Sequence, residues 1–390
     1  MDKNTNRRNF LKTFSLGSLP FILPGTITGN EFLDLNSDKD SKIINFFFDG
    51  IYFTPEMYIN KLQEINSKLQ IKGDTYFQGG ITEILEQRFS EITGKEKSIF
   101  LPTGTMANQV AIKLLSGNNT KIIVPENSHI FRDEADAAQS VHGKRLIPVG
   151  KDKVFFNQSD LEEAINYTLT NEVFQSGMNT VVIENPIRRA DSRAIPFEEL
   201  KKITDYCRNK GYKIHLDGAR IHIASAFTGI SVKEYSSLFD TVYISLYKYL
   251  NAAGGAILSG PAEVIDKVKH QIKIFGGTMY QSWYLTAMAN HYLNRLEERW
   301  DEVKRRSKLL INELNKINNI TASSINNGTN IFDLKLPDKA TADKLRAGLA
   351  ENHSIYLRPA DDNGLIKICV NESILEVDTE VIANAFNTEV

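Results

Sequence analysis

Two residues 31 positions apart, Asp217 and Lys248, carry the most legible chemistry in this chain. Asp217 lies in His215-Leu216-Asp217-Gly218-Ala219-Arg220, and Lys248 closes Ser245-Leu246-Tyr247-Lys248. A carboxylate can keep a proton on a basic ring nitrogen, and a primary amine can form a Schiff base with an aldehyde. The cofactor that asks for both is pyridoxal phosphate (PLP). Its phosphate also needs an anion site. Pro102-Thr103-Gly104-Thr105-Met106-Ala107-Asn108 offers one, because small residues between a strand and a helix let backbone N–H groups and a hydroxyl point at an anion. Taken alone, that turn would read as a plain helix cap.

These residues need a frame. Segments 212–216 and 240–246 read as apolar strands, rich in β-branched and aromatic residues. Segments 98–101, 121–124, 145–149, 180–184 and 255–258 read as further strands. Helices are expected over 82–93 (capped by Thr82), 109–115, 131–141, 159–169, 196–209 and 262–275. Such alternation predicts an α/β fold with a mostly parallel sheet and helices on both faces. Ligands of such sheets bind beyond the carboxyl ends of the strands. Thr105, Glu184, Asp217 and Lys248 all fall at or just past such ends.

Ahead of the sheet, 43–48 is an apolar arm, and Thr54-Pro55 starts a helix. Behind it, one long helix is expected over 280–315. The pattern then changes to strands at 331–336, 354–357 and 365–370 with helices at 341–351 and 376–386, a small α+β domain. The expected division is an export segment (1–29), a polar linker (30–45), a large domain with its arm (46–316) and a small C-terminal domain (317–390).

The chain has 390 residues, 42% hydrophobic and 24% charged, enough for a large core. A net charge of -2 gives no global field for nucleic acid or an anionic membrane. Cys207 and Cys369 have no metal-ligand spacing, so no metal site is expected. Asn6-Arg7-Arg8-Asn9-Phe10-Leu11-Lys12 fits a twin-arginine export pattern, and the apolar run after it is too short for a permanent span. The expectation is a periplasmic protein exported already folded, with a cytoplasmic one as the alternative.

With these motifs together, the chain resembles the threonine aldolase and aromatic amino acid β-eliminating lyase family, PLP enzymes of fold type I. The resemblance runs from about position 47 to the C-terminus. It is densest at TGTMANQ (103–109), ENSHIF (126–131), 212–229, the lysine strand and FGGTMYQ (275–281). It implies Lys248 as the Schiff-base lysine, Asp217 on the pyridine nitrogen, Arg220 on the ring 3′-oxygen and His129 stacked on the ring as a second catalytic group. Gly104, Thr105 and Ser245 would hold the phosphate. Lys273 would reach a neighbouring subunit's phosphate in a homodimer or homotetramer. The implied reaction cleaves a β-hydroxy amino acid into glycine and an aldehyde. A β-elimination on another amino acid is the alternative, and a non-catalytic PLP-holding protein the second.

The departures concern the substrate. The family's L-R-S-D-T-like segment, whose serine helps hold the substrate carboxylate, is Phe46-Phe47-Phe48-Asp49-Gly50 here. The arginine that clamps the same carboxylate corresponds to Lys367, which is not equivalent at a bidentate site. The arginine of the family's G-G-x-M-R-Q turn is Tyr280. An arginine of Pro186-Ile187-Arg188-Arg189, with Arg189 foremost, Arg358 and Lys367 are therefore the candidates for the substrate's anion.

Overall fold

Short runs of aliphatic and β-branched residues build the frame. The protein is described by a computed structural model covering residues 42–390, so the export segment and nearly all of the linker lie outside the described residues. A two-residue strand, β1 (Ile44–Asn45), comes first. Next come β2 (Lys97–Leu101), β3 (Lys121–Pro125), β4 (Arg145–Val149), β5 (Met178–Glu184), β6 (Lys213–Asp217), β7 (Thr241–Ser245) and β8 (Ala256–Gly260). These seven form one sheet in the order β2-β8-β7-β6-β5-β3-β4. β8 runs antiparallel to β2 and β7, and the other pairings are parallel. This is the mostly parallel α/β sheet that the alternation predicts.

β3, β7 and β8 are buried along their whole length, as strands covered on both faces must be. Phe100, Ile123, Val181, Leu216, Val242, Ile244 and Ile257 are closed to solvent. Each such side chain contributes about 1.5–3 kcal/mol relative to exposure.

The C-terminal part has its own antiparallel sheet of β9 (Thr321–Ser324), β10 (Ile331–Lys335) and β12 (Leu365–Cys369). Helices Lys339–His353 and Thr379–Glu389 accompany it. Between them β11 (Ile355–Tyr356) pairs in parallel with β1, far back in the chain. The arm therefore belongs to the C-terminal layer. Cys369 N donates to Phe46 O at 2.9 Å, and Asn371 Nδ2 donates to Asn45 O at 2.8 Å and Phe48 O at 2.7 Å.

Several elements differ from their sequence expectation for physical reasons. The helix expected from Thr82 starts two residues earlier, at Gly80. Thr82 lies inside it, its hydroxyl bonded to those of Ser282 and Thr286. Ile84 on this helix is half exposed. The helix expected from position 109 starts at Gly104, because Thr103 Oγ1 accepts from Met106 N and caps it there. The single helix expected over 131–141 is two, His129–Arg132 and Ala137–His142, separated where Ala135 and Asp136 turn left-handed. The long helix expected over 280–315 breaks into Trp283–Leu293 and Leu296–Leu314 at left-handed Arg295. The break lets Leu296, Trp300, Val303 and Leu310 of the second piece reach the core. β9 was not expected, since Thr321–Ser324 has no apolar alternation. Among the described residues no helix is long and apolar enough to cross a membrane.

Candidate active site

Parallel strands deliver their carboxyl ends to one edge, and register decides who meets there. Glu184 lies opposite Asp217, and Asp217 opposite Tyr243, so β5, β6 and β7 set three polar groups in a row. Lys248 follows five residues after Tyr243. The antiparallel β8 begins at the same edge, led in by Gly254 and Gly255. Gly255 has φ +98°, and a Cβ there would press into the Phe100 ring. Together these groups line a cleft of about 360 Å³.

Asp217 is buried, and its carboxylate is held from behind. Asn108 Nδ2 donates to Asp217 Oδ2 at 2.9 Å and to Glu134 Oε1 at 2.8 Å. That leaves Asn108 Oδ1 facing His215 Nε2 at 3.0 Å, so this nitrogen must carry the hydrogen. His215 Nδ1 then accepts from the Thr241 hydroxyl at 2.8 Å. Burial lowers the His215 pKa to about 4, which keeps the ring neutral and this direction of bonding fixed. Ala219 N donates to Asp217 Oδ1 at 3.2 Å.

His129 stands on another wall. Its backbone N–H donates to Glu184 Oε2 at 2.6 Å, and its Nδ1 lies 2.9 Å from Glu134 Oε1. Burial opposes charge on this ring, but the Glu134 bond and the fields of Asp217, Glu134 and Glu184 outweigh it and raise the His129 pKa. Burial also raises Glu134. Glu184 is pushed up to about 7 by burial and by Asp217 opposite it. The helix break after Arg132 is what turns Glu134 inward onto Asn108 and His129. One acceptor atom each from His129, Glu134 and Asp217 lies within 4.8 Å of the others, with Asn108 Nδ2 already bridging the two carboxylates.

Lys248 is the opposite case. Its Nζ has no hydrogen bond among the described residues and lies 5.0 Å from the centre of the Tyr247 ring. Burial, then the Arg220 guanidinium, lower its pKa to about 7. Arg220 Nε donates to Asp49 Oδ2 at 2.8 Å, which fixes the guanidinium at the cleft. Burial works against the Asp49 charge, but Arg220, Lys248 and Arg358 hold its pKa below the usual value.

These residues fit a cofactor with an anion, a basic ring nitrogen and an aldehyde. The helix that begins at Gly104 has first-turn N–H groups with no acceptor inside the helix. Gly104 has no room for a side chain, since a Cβ would run into the Tyr243 hydroxyl. Thr105 lines the cleft beside it. An anion there meets the positive end of the helix dipole. Asp217 is a buried acceptor for a ring N–H, and Lys248 is an amine kept near neutrality, as attack on an aldehyde requires.

Of the residues named from sequence, Gly104, Thr105, His129, Asp217, Arg220 and Lys248 come together in this cleft. Ser245 ends β7, fully buried and outside the cleft wall. Lys273 lies on helix Ala262–Ile274 and lines a separate cavity of about 220 Å³ with Tyr76 and Lys269. Arg189 grips Asp133 through Nε at 3.0 Å and through Nη2. Arg358 gives Nε and Nη2 to Phe47 O at 3.2 and 2.6 Å. Lys367 Nζ sits between Asp191 at 3.0 Å and Asp333 at 2.6 Å. None of these last three lines the cleft.

Sequence reasoning missed Asn108, Glu134, Tyr243, Tyr247 and Asp49. Asn108 had a usable signal, standing one helical turn beyond Gly104 and so on the same face. Glu134 had none, because it depends on an unsignalled helix break.

Comparison with known proteins agrees with this geometry. A family model described as beta-eliminating lyase matches residues 60–336. A low-specificity L-threonine aldolase of Candida albicans is 33% identical over 57% of this chain and 59% of its own length, so the match spans less than two thirds of that relative. An alanine racemase of Cochliobolus carbonum is 34% identical over 57% of this chain and 56% of its own. A Listeria monocytogenes crystal structure, described as a candidate L-allo-threonine aldolase, superposes with a TM-score of 0.74. It covers 90% of this chain and 97% of its own at 22% identity, which speaks for the fold.

Proposed function

The chain belongs to the beta-eliminating lyase family, and from that premise we propose that it is a PLP-dependent lyase cleaving a β-hydroxy amino acid between Cα and Cβ. One observation carries the reading: Asp217 and Lys248 face a single cleft from neighbouring strand ends, across from the open helix start at Gly104. The threonine aldolase name of the Candida albicans relative supports the choice of reaction.

When bound, PLP supplies an electron sink for the bond broken at Cα. Gly104 and Thr105 would hold its phosphate, Asp217 its ring nitrogen, Arg220 its ring oxygen and Lys248 its aldehyde carbon. Asn108 and His215 hold Asp217 in place so that its carboxylate does not turn away. Glu134 occupies His129 Nδ1, which leaves Nε2 as the ring atom that takes the proton of the substrate's β-hydroxyl. Glu184 holds the His129 backbone and keeps the ring at the cleft.

A second reading is favoured by the same lysine. An amine with a pKa of about 7 is a base able to take the Cα proton, the opening step of β-elimination. A substrate panel separates these readings. Glycine and acetaldehyde from threonine support aldol cleavage. Pyruvate and ammonia from serine or cysteine, with no aldehyde, replace it by elimination. D-alanine from L-alanine would show proton loss and return at Cα. No response to any amino acid, with an absorbance band at about 420 nm present, leaves a protein that only holds the cofactor.

The depressed Lys248 pKa has a consequence for cofactor uptake. The attacking form is the neutral amine, half populated at about pH 7 and dominant above it. The rate at which apoprotein gains the band on mixing with PLP is expected to rise about tenfold per pH unit below 7 and to level off above 8. A lysine of ordinary pKa would keep the rate climbing towards pH 10, and stopped-flow mixing across pH 5.5–9 (roughly the span of interest) distinguishes the two.

The twin-arginine pattern at 6–12 supports a protein exported folded, with its cofactor in place. Half-exposed Tyr76 and Tyr280, packed ring against ring beside Lys273, support a homodimer or homotetramer joined near that lysine.

A further inference from the structure

We infer that the Tyr247 hydroxyl and the Arg188 guanidinium together bind the substrate's carboxylate. The inference rests on the PLP reading above and names the anion subsite within it.

An amino acid that exchanges with Lys248 must bring its nitrogen to where Nζ stands. That point is 5.0 Å from the centre of the Tyr247 ring. Groups on the carbon next to the nitrogen therefore fall within reach of this side chain. Tyr247 lines the cleft, is half exposed, and makes no hydrogen bond with any described residue. Burial raises its pKa, with Arg220 and Arg188 pulling the other way, so the hydroxyl keeps its proton and offers it as a donor. An anion accepting that hydrogen stands in the field of both guanidiniums.

Most other cations nearby are already engaged. Arg189 holds Asp133 in a two-point grip. Arg358 spends two nitrogens on the Phe47 carbonyl, and Lys367 is neutralised by two aspartates. Arg220 is fixed by Asp49, with the cofactor's ring oxygen as its other partner in the reading above. Arg188 does not line the cleft either, but its side chain is less engaged. Its backbone N–H is anchored at 2.8 Å on Glu184, a residue of the cleft wall. Its guanidinium has one contact, 3.5 Å to an Asp133 oxygen that Arg189 also holds. A substrate carboxylate offers it a better partner than a shared, distant one.

The test uses two amines that differ in the carboxylate alone. Holoenzyme is titrated with L-alanine and with L-alaninol, following the band at about 420 nm. Tyr247→Phe and Arg188→Gln are each expected to raise the half-saturating alanine concentration about tenfold, with the alaninol value and the resting band unchanged. Arg188→Lys should recover part of the loss. The inference is overturned if the alanine-to-alaninol ratio stays at its wild-type value in either variant, whether both ligands weaken equally or neither does. A wild-type protein with no band at all would instead remove the PLP reading, and this inference with it.

Discussion

Lys248→Ala is expected to lower kcat by at least about 10³-fold and to abolish the band at about 420 nm, while the apoprotein melts no lower than wild type. The two halves of this expectation have one cause. Lys248 Nζ lines the cleft with no hydrogen-bond partner among the described residues, and burial with Arg220 depresses its pKa to about 7. A group held that far from its preferred charged state costs stability, so removing it cannot loosen the fold by a lost bond. Catalysis depends on the same amine, because among the described residues no other lysine lines the cleft. Turnover assays, absorbance and thermal melting of the apoprotein check the three parts separately. A variant that keeps the band would place the aldehyde elsewhere, and one that melts much lower would mean a structural role for the amine.

Asn108→Ala is expected to do the reverse, damaging fold and site together. One side-chain amide serves Glu134, Asp217 and His215. Its removal leaves two buried carboxylates with no donor between them and a buried imidazole N–H with no acceptor. Ala219 N still serves Asp217 and His129 Nδ1 still faces Glu134, so the loss is that of buried hydrogen bonds to charged groups, about 1.5–3 kcal/mol, and melting should fall by a few degrees. Asp217 would also lose the donor that holds its carboxylate in place, which weakens its hold on a ring N–H. The absorbance band should then fade at neutral pH and cofactor should leave on dialysis. Adding Glu134→Gln takes away one of the two carboxylates and supplies an amide. The double variant should therefore be more stable than Asn108→Ala, a non-additive result that a double-mutant cycle measures. Simple addition of the two losses would show that the three groups are not coupled through Asn108.

The frame of this protein is legible in its sequence wherever burial on both faces forces continuous apolar runs. β3 and β7 lie within a residue of their expected limits for this reason. Asp217 and Lys248 are legible because their chemistry needs specific residue types at the ends of such runs. The helix breaks at Ala135-Asp136 and Arg295 were not, because the left-handed residues there are not glycines and carry no local signal. Tertiary demand sets them; at the first, Glu134 must face Asn108. Three of the candidate anion binders show a further limit. Arg189, Arg358 and Lys367 are cations in the sequence, and only their partners Asp133, the Phe47 carbonyl, and Asp191 with Asp333 reveal that they are already spoken for.

The arm at 44–50 sets an order of events. Its docking partners are β11, Cys369 and Asn371, and the bond from Asn371 to Asn45 spans 326 residues of chain. Contacts of such long range form late, since the loop they close must be ordered first. During synthesis the arm is among the first described segments to leave the ribosome and has nowhere to settle until β12 is made. Asp49 rides on that arm, so Arg220 waits without its counter-charge until β12 is made. A nascent chain stalled before position 365 would carry the sheet and Lys248 while lacking the anion that fixes Arg220. The cleft is thus completed when the arm docks on the C-terminal layer, and a truncation before β12 should strike Arg220 before it strikes the central sheet.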